Sequence, residues 1–65
     1  MDSTLRWYCI RYKILSKREA AGNATYAELS DALNDFVYHC SVLGVKSIDV
    51  YNQVEVHDGI VNAEQ

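Results

Sequence analysis

Residues 5–15 read Leu-Arg-Trp-Tyr-Cys-Ile-Arg-Tyr-Lys-Ile-Leu, and the fold turns on how this run is taken. Its apolar residues alternate: extended, the chain would place Tyr8, Ile10, Tyr12 and Ile14 on one face and Leu5, Trp7, Cys9, Arg11 and Lys13 on the other. Aromatic and β-branched side chains also suit a pleated surface. The run is therefore expected to be a strand over 5-15, with its even face in the core.

Downstream, 16-24 (SKREAAGNA) has no period and holds Gly22-Asn23, a pair that tolerates positive φ, so it reads as a connector. Residues 19–26 could instead return as a short second strand, although few large apolar residues there would hold a register. Thr25-Tyr26-Ala27-Glu28 fits a capping box. Behind it, Tyr26, Leu29, Leu33, Phe36, Val37, Cys40 and Leu43 follow at steps of three or four, and Gly44 stands as the stop. The pattern predicts a helix over 25-43; a start at Ser30 is the competing reading.

Residues 45-57 alternate again, with Ile48, Val50, Val54 and Val56 on one side and Asn52 interrupting them. Either this is one strand with a solvated middle, or a turn at Tyr51-Asn52-Gln53 folds it into a hairpin. The hairpin sets Asp49 opposite Glu55, a like-charge pair that counts against it. Residues 58-65 read as a tail. The expected fold class is α+β, a single domain 1-65 in which one amphipathic helix packs on a sheet of two to four strands, in β-α-β or β-β-α-β order.

At 65 residues the chain buries only about 60% of the surface its unfolded form exposes, so its core is marginal and self-association is an expected support. Cys9 and Cys40 lie in apolar stretches and are expected to be reduced thiols packed as small hydrophobes. The first residues, Met-Asp-Ser-Thr-Leu, lack the regions of a signal peptide, and no apolar run nears the roughly 18 residues a membrane span needs. A cytoplasmic protein is expected.

The net charge of −3 hides a division. Five of the six basic residues, Arg6, Arg11, Lys13, Lys17 and Arg18, fall in the first eighteen positions against Asp2, for a net +4. After them Lys46 stands alone against eight acids, for a net −7. The basic and aromatic interleaving of Arg6, Trp7, Arg11 and Lys13 suits single-stranded nucleic acid, but a pI near 5.1 argues against that partner.

Catalysis and metal binding find little support. His39, Cys40, His57 and Cys9 include no Cys-x-x-Cys pair, and adjacent helical residues such as His39 and Cys40 diverge by about 100°. Gly22, Gly44 and Gly59 are isolated and build no phosphate cradle. No catalytic residue, cofactor or metal ligand is expected, and the chain reads as a non-enzyme.

Binding is better furnished. On the outward face of the first strand, Leu5, Trp7 and Cys9 form an apolar patch that needs a cover, with Arg11 and Lys13 beside it; Trp and Arg are enriched in binding hot spots. The chain's own tail or connector could equally cover Trp7. Glu28, Asp31 and Asp35 form an acidic stripe on the helix that could dock on a basic protein surface. Leu5, Trp7, Arg11, Lys13, Glu28, Asp31 and Asp35 are the candidate partner-binding set. The partner is another protein, either a larger complex or a second copy in a homodimer; nucleic acid is the alternative, and a structural subunit of a larger assembly a third reading.

The order of elements, a Trp-Tyr-rich strand, a charged connector, one amphipathic helix, a glycine turn and a valine-rich strand, resembles that of small accessory proteins of bacteriophages and mobile elements. The resemblance implies stoichiometric binding that blocks a host polymerase, nuclease or defence complex.

Overall fold

Asp2 caps the start of the first run as a helix. Its Oδ1 accepts hydrogen bonds from the backbone N–H of Thr4 at 2.8 Å and of Leu5 at 3.1 Å. Two of the four donors that a helix start leaves open are thereby satisfied. The computed structural model, which describes residues 2–56, accordingly begins with α1 (Ser3–Ala20), followed by α2 (Tyr26–Leu43) and α3 (Ser47–Gln53). No strand occurs among the described residues. The expected α+β class, with its sheet of two to four strands, is thus corrected to all-α.

The alternation in 5-15 misleads for a geometric reason. Tyr8, Ile10, Tyr12 and Ile14 are also two i, i+4 pairs, and on a helix a step of two residues turns by about 200°. The single strand face therefore splits in two. Tyr8 and Tyr12 pack on the core, where Tyr12 stacks 6.2 Å from Phe36. Ile10, which also touches the core, and Ile14 instead line a groove beside it. The expected outer face splits as well: Leu5 and Cys9, again i and i+4, are buried, whereas Trp7 is exposed.

The expected connector is largely helix, since α1 runs on through Ser16 to Ala20. Lys17 and Arg18 lie in its last turn, where cations offset the negative end of the helix dipole. Gly22, at φ 80°, then turns the chain. Its N–H donates to the Glu19 carbonyl at 3.0 Å and that of Asn23 to the Arg18 carbonyl at 2.7 Å, the crossed pair that closes a helix C-terminus. No second strand forms over 19–26.

α2 starts with the capping box in place. The backbone N–H of Thr25 donates to Glu28 Oε1 at 3.0 Å, and that of Glu28 donates to Thr25 Oγ1 at 3.1 Å. The competing start at Ser30 is not used. The buried face of α2 holds Ala32, Phe36 and Cys40, so only part of the expected stripe is covered; Tyr26, Leu33, Val37 and Leu43 stay exposed. Without a sheet beneath it, the helix has too small a neighbour to cover the whole stripe.

The residues expected to form a strand or hairpin over 45-57 instead give α3, and the chain from Val54, itself extended, runs to 56 without regular structure. Val50 and Val54, read as neighbours on a pleat, are i and i+4, and both are buried. Asn52, the interruption of the strand face, is simply exposed. His57 and the expected tail 58-65 lie outside the described residues.

α1 and α2 run antiparallel, as shown by the pairing of Tyr8 with His39 and of Arg11 with Asp35. Leu5 and Cys9 from α1, Phe36 and Cys40 from α2, and Val50 and Val54 at α3 form one core. No helix among the described residues is long and apolar enough to cross a membrane.

Candidate functional site

The helical fold redistributes the seven candidate residues. Leu5 is only 3% exposed and belongs to the core, so it leaves the binding set. Lys13 is also engaged within the molecule. Its Nζ donates to the Tyr51 carbonyl at 2.6 Å and to the Val54 carbonyl, and lies 4.1 Å from the centre of the Tyr51 ring. A cation there satisfies carbonyls that the end of α3 leaves open. Lys13 thus pins α3 to α1.

The remaining five gather along the α1–α2 seam. Trp7 is 57% exposed and meets the Tyr8 ring edge-on at 5.2 Å. Arg11 spans the seam, its Nη1 donating to Asp35 Oδ2 at 3.1 Å, with both side chains partly in water. Asp31 is exposed. Glu28 caps its own helix, and its carboxyl is held below the usual range by the Thr25 backbone N–H, then by the Thr25 hydroxyl, with a smaller pull from Arg18.

Between the helices lies an open groove of about 610 Å³. Ile10, Ile14 and Leu15, all at least half-buried, make its floor, while Trp7 and Asp31 stand exposed at its rim. Arg11 and Arg18 line it from α1, and Glu28 from α2. Four candidates, Trp7, Arg11, Glu28 and Asp31, therefore share one concave surface, and Asp35 is joined to it through Arg11.

Sequence reasoning missed Ile10, Ile14, Leu15 and Arg18 as members of this surface. A signal was present, since Trp7, Arg11, Ile14 and Arg18 follow at steps of four, three and four and form one row on a helix. A strand reading scatters that row over two faces.

The chain matches no family model, no curated protein and no solved structure. The groove's own geometry therefore carries the functional argument.

No group of three or more His, Cys, Asp and Glu side chains able to hold a metal ion occurs among the described residues. His39 stacks on Tyr8 at 4.1 Å, and its Nδ1 lies 2.8 Å from the Asp35 carbonyl oxygen. Both cysteines are buried in the core. Burial pushes the Cys9 thiol up, against the pull of Lys13 and with a further push from Cys40, and burial likewise raises Cys40. Each is held as the protonated, weakly nucleophilic thiol. A second cavity of about 530 Å³, lined by Asp2, Leu5, Leu43 and Lys46 among others, sits where the start of α1 meets the α2–α3 junction.

Proposed function

We propose that the chain is a non-catalytic, protein-binding module of the cytoplasm that grips its partner with the α1–α2 groove. The observation that carries this reading is Trp7, 57% exposed at the rim of a groove with an isoleucine and leucine floor. A large aromatic ring in water beside concave apolar surface is a typical anchor for another chain, because burying it releases water from both partners. A stoichiometric inhibitor of a larger complex is one form such a module takes. The order of elements that suggested a phage-type accessory protein is not the one found, so that form now rests on the groove alone.

The nucleic-acid alternative is less well supported. Of the five basic side chains of α1, Arg11 is ion-paired and Lys13 holds the end of α3. Arg6 and Lys17 point outward but lie eleven residues apart, about 16 Å along the helix. The acidic side chains of α2 flank the groove itself. Phosphate binding needs a denser basic track.

Tagged and untagged full-length chains, co-expressed and purified after nuclease treatment, test the proposal. A protein retained in stoichiometric amount, own or foreign, that survives high salt and is lost with Trp7→Ala supports it. Recovery of nucleic acid alone, released by salt and indifferent to Trp7, overturns it.

A further inference from the structure

The groove is electrically divided along its length. Its α1 wall carries Arg11 and Arg18, and its α2 wall carries Glu28 and Asp31, extended by Asp35. Between the walls runs the apolar floor, with Trp7 at the rim. This division restricts the partner: a uniformly acidic surface is repelled by the α2 wall and a uniformly basic one by the α1 wall. The fitting partner presents a basic edge, an apolar centre and an acidic edge, in the order that meets these walls with opposite charge.

A second copy of the chain presents that surface. A two-fold axis running along the groove exchanges the walls, so the α1 wall of each copy faces the α2 wall of the other, and the exposed Trp7 rings at the rims enter the space between the two apolar floors. We propose, resting on the protein-binding reading above, that the α1–α2 groove is a self-recognition surface that joins two copies about such an axis, with the Trp7 rings buried between them. A domain this small gains by adding to its core in that way.

The test is sedimentation equilibrium of the full-length chain up to about 1 mM, the range in which even weak pairs associate. The wild type is expected to form a dimer and no larger species. Trp7→Glu is expected to weaken it at least about 30-fold, the effect of losing an interface anchor, with far-UV circular dichroism unchanged. Arg11→Glu and Asp31→Lys each place like charge against the facing wall and are each expected to weaken it about fivefold or more. Mixed in equal amounts, these two variants restore opposite charge at both contacts and are expected to pair with each other more tightly than either does with itself. A wild type that stays monomeric at 1 mM overturns the proposal, whether residues 57–65 of the same chain or a foreign protein then cover the groove. So does a dimer indifferent to Trp7→Glu, or a mixture no tighter than its parts. If the dimer fails while Trp7-dependent capture of a foreign protein stands, the inference falls and the binding-module reading survives.

Discussion

α1 and α2 are equal in length, 18 residues each, and share their end chemistry. Each begins on a side-chain oxygen, from Asp2 or Thr25, that accepts a backbone N–H. Each ends on a positive-φ glycine, Gly22 or Gly44, bracketed by crossed backbone hydrogen bonds. They differ in what lies between. α2 buries one sector and carries only acidic charge, whereas α1 spreads apolar residues over two sides and carries five cations. The shared ends start and stop both helices alike; the unequal middles divide the labour, with α1 supplying core, groove floor and the basic wall and α2 supplying core and the acidic wall.

The two sides of α1 give the largest expected effect. Leu5→Ala empties a site in the core and should cost about 2–5 kcal/mol in urea unfolding, a large part of the stability of so small a domain. Trp7→Ala, two residues away, should cost under about 1 kcal/mol under conditions where the chain is monomeric, because the ring is mostly in water there. Equal costs would mean that the groove is closed over Trp7 and that α1 has only one working face.

Next comes the hold of α1 on α3. Lys13→Met keeps the length of the stem but removes the ammonium that bonds the Tyr51 and Val54 carbonyls. A loss of about 1–3 kcal/mol is expected for hydrogen bonds to a charged donor. Faster hydrogen exchange should be confined to α3 and its end, at the Val50 and Val54 amides. Lys17→Met, on the exposed side of the same helix, should fall within about 0.5 kcal/mol of wild type. A loss spread evenly over all three helices would show Lys13 to be ordinary packing rather than a pin.

These differences also explain what was legible in the sequence. α2 was readable because its cap, stripe and stop agree: Thr25 and Glu28, then Phe36 and Cys40, then Gly44. α1 was not, because its aromatic and β-branched residues favour strand locally and alternate over Tyr8, Ile10, Tyr12 and Ile14, while its helix signals lie beyond that run, in Asp2 and Gly22. Tertiary context overrode propensity. α3 hid for a related reason, since Val50 and Val54 satisfy both a two-residue and a four-residue spacing. The site followed the fold. Trp7, Arg11, Glu28 and Asp31 were singled out by residue type, but the isoleucine floor that makes them one surface exists only on a helix.

The shared ends predict matched, smaller effects. Asp2→Ala and Thr25→Ala each remove the side-chain oxygen that starts a helix and should each cost about 1 kcal/mol. Near-equality, read as the shift in urea midpoint, would confirm that the two helices are launched by the same means. A negligible loss at Asp2 beside a full loss at Thr25 would mean that packing through Leu5 and Cys9 alone starts α1.

The smallest effect concerns an ion pair that joins the helices. Arg11 and Asp35 meet at 3.1 Å with relative side-chain exposures of 35% and 52%, so water and salt screen them, and a double-mutant cycle should return a coupling of about 0.2–1 kcal/mol that shrinks as salt rises. That weakness bears on function. A contact that adds little to the fold leaves Arg11 able to trade its carboxylate for one on a partner, since the exchange forfeits little within the molecule. Arg11→Ala should therefore leave the urea midpoint nearly unchanged while weakening partner capture. A coupling well above 1 kcal/mol that persists in salt would make Arg11 a clasp between α1 and α2, and would move the α1 side of the binding surface to Trp7 and Arg18.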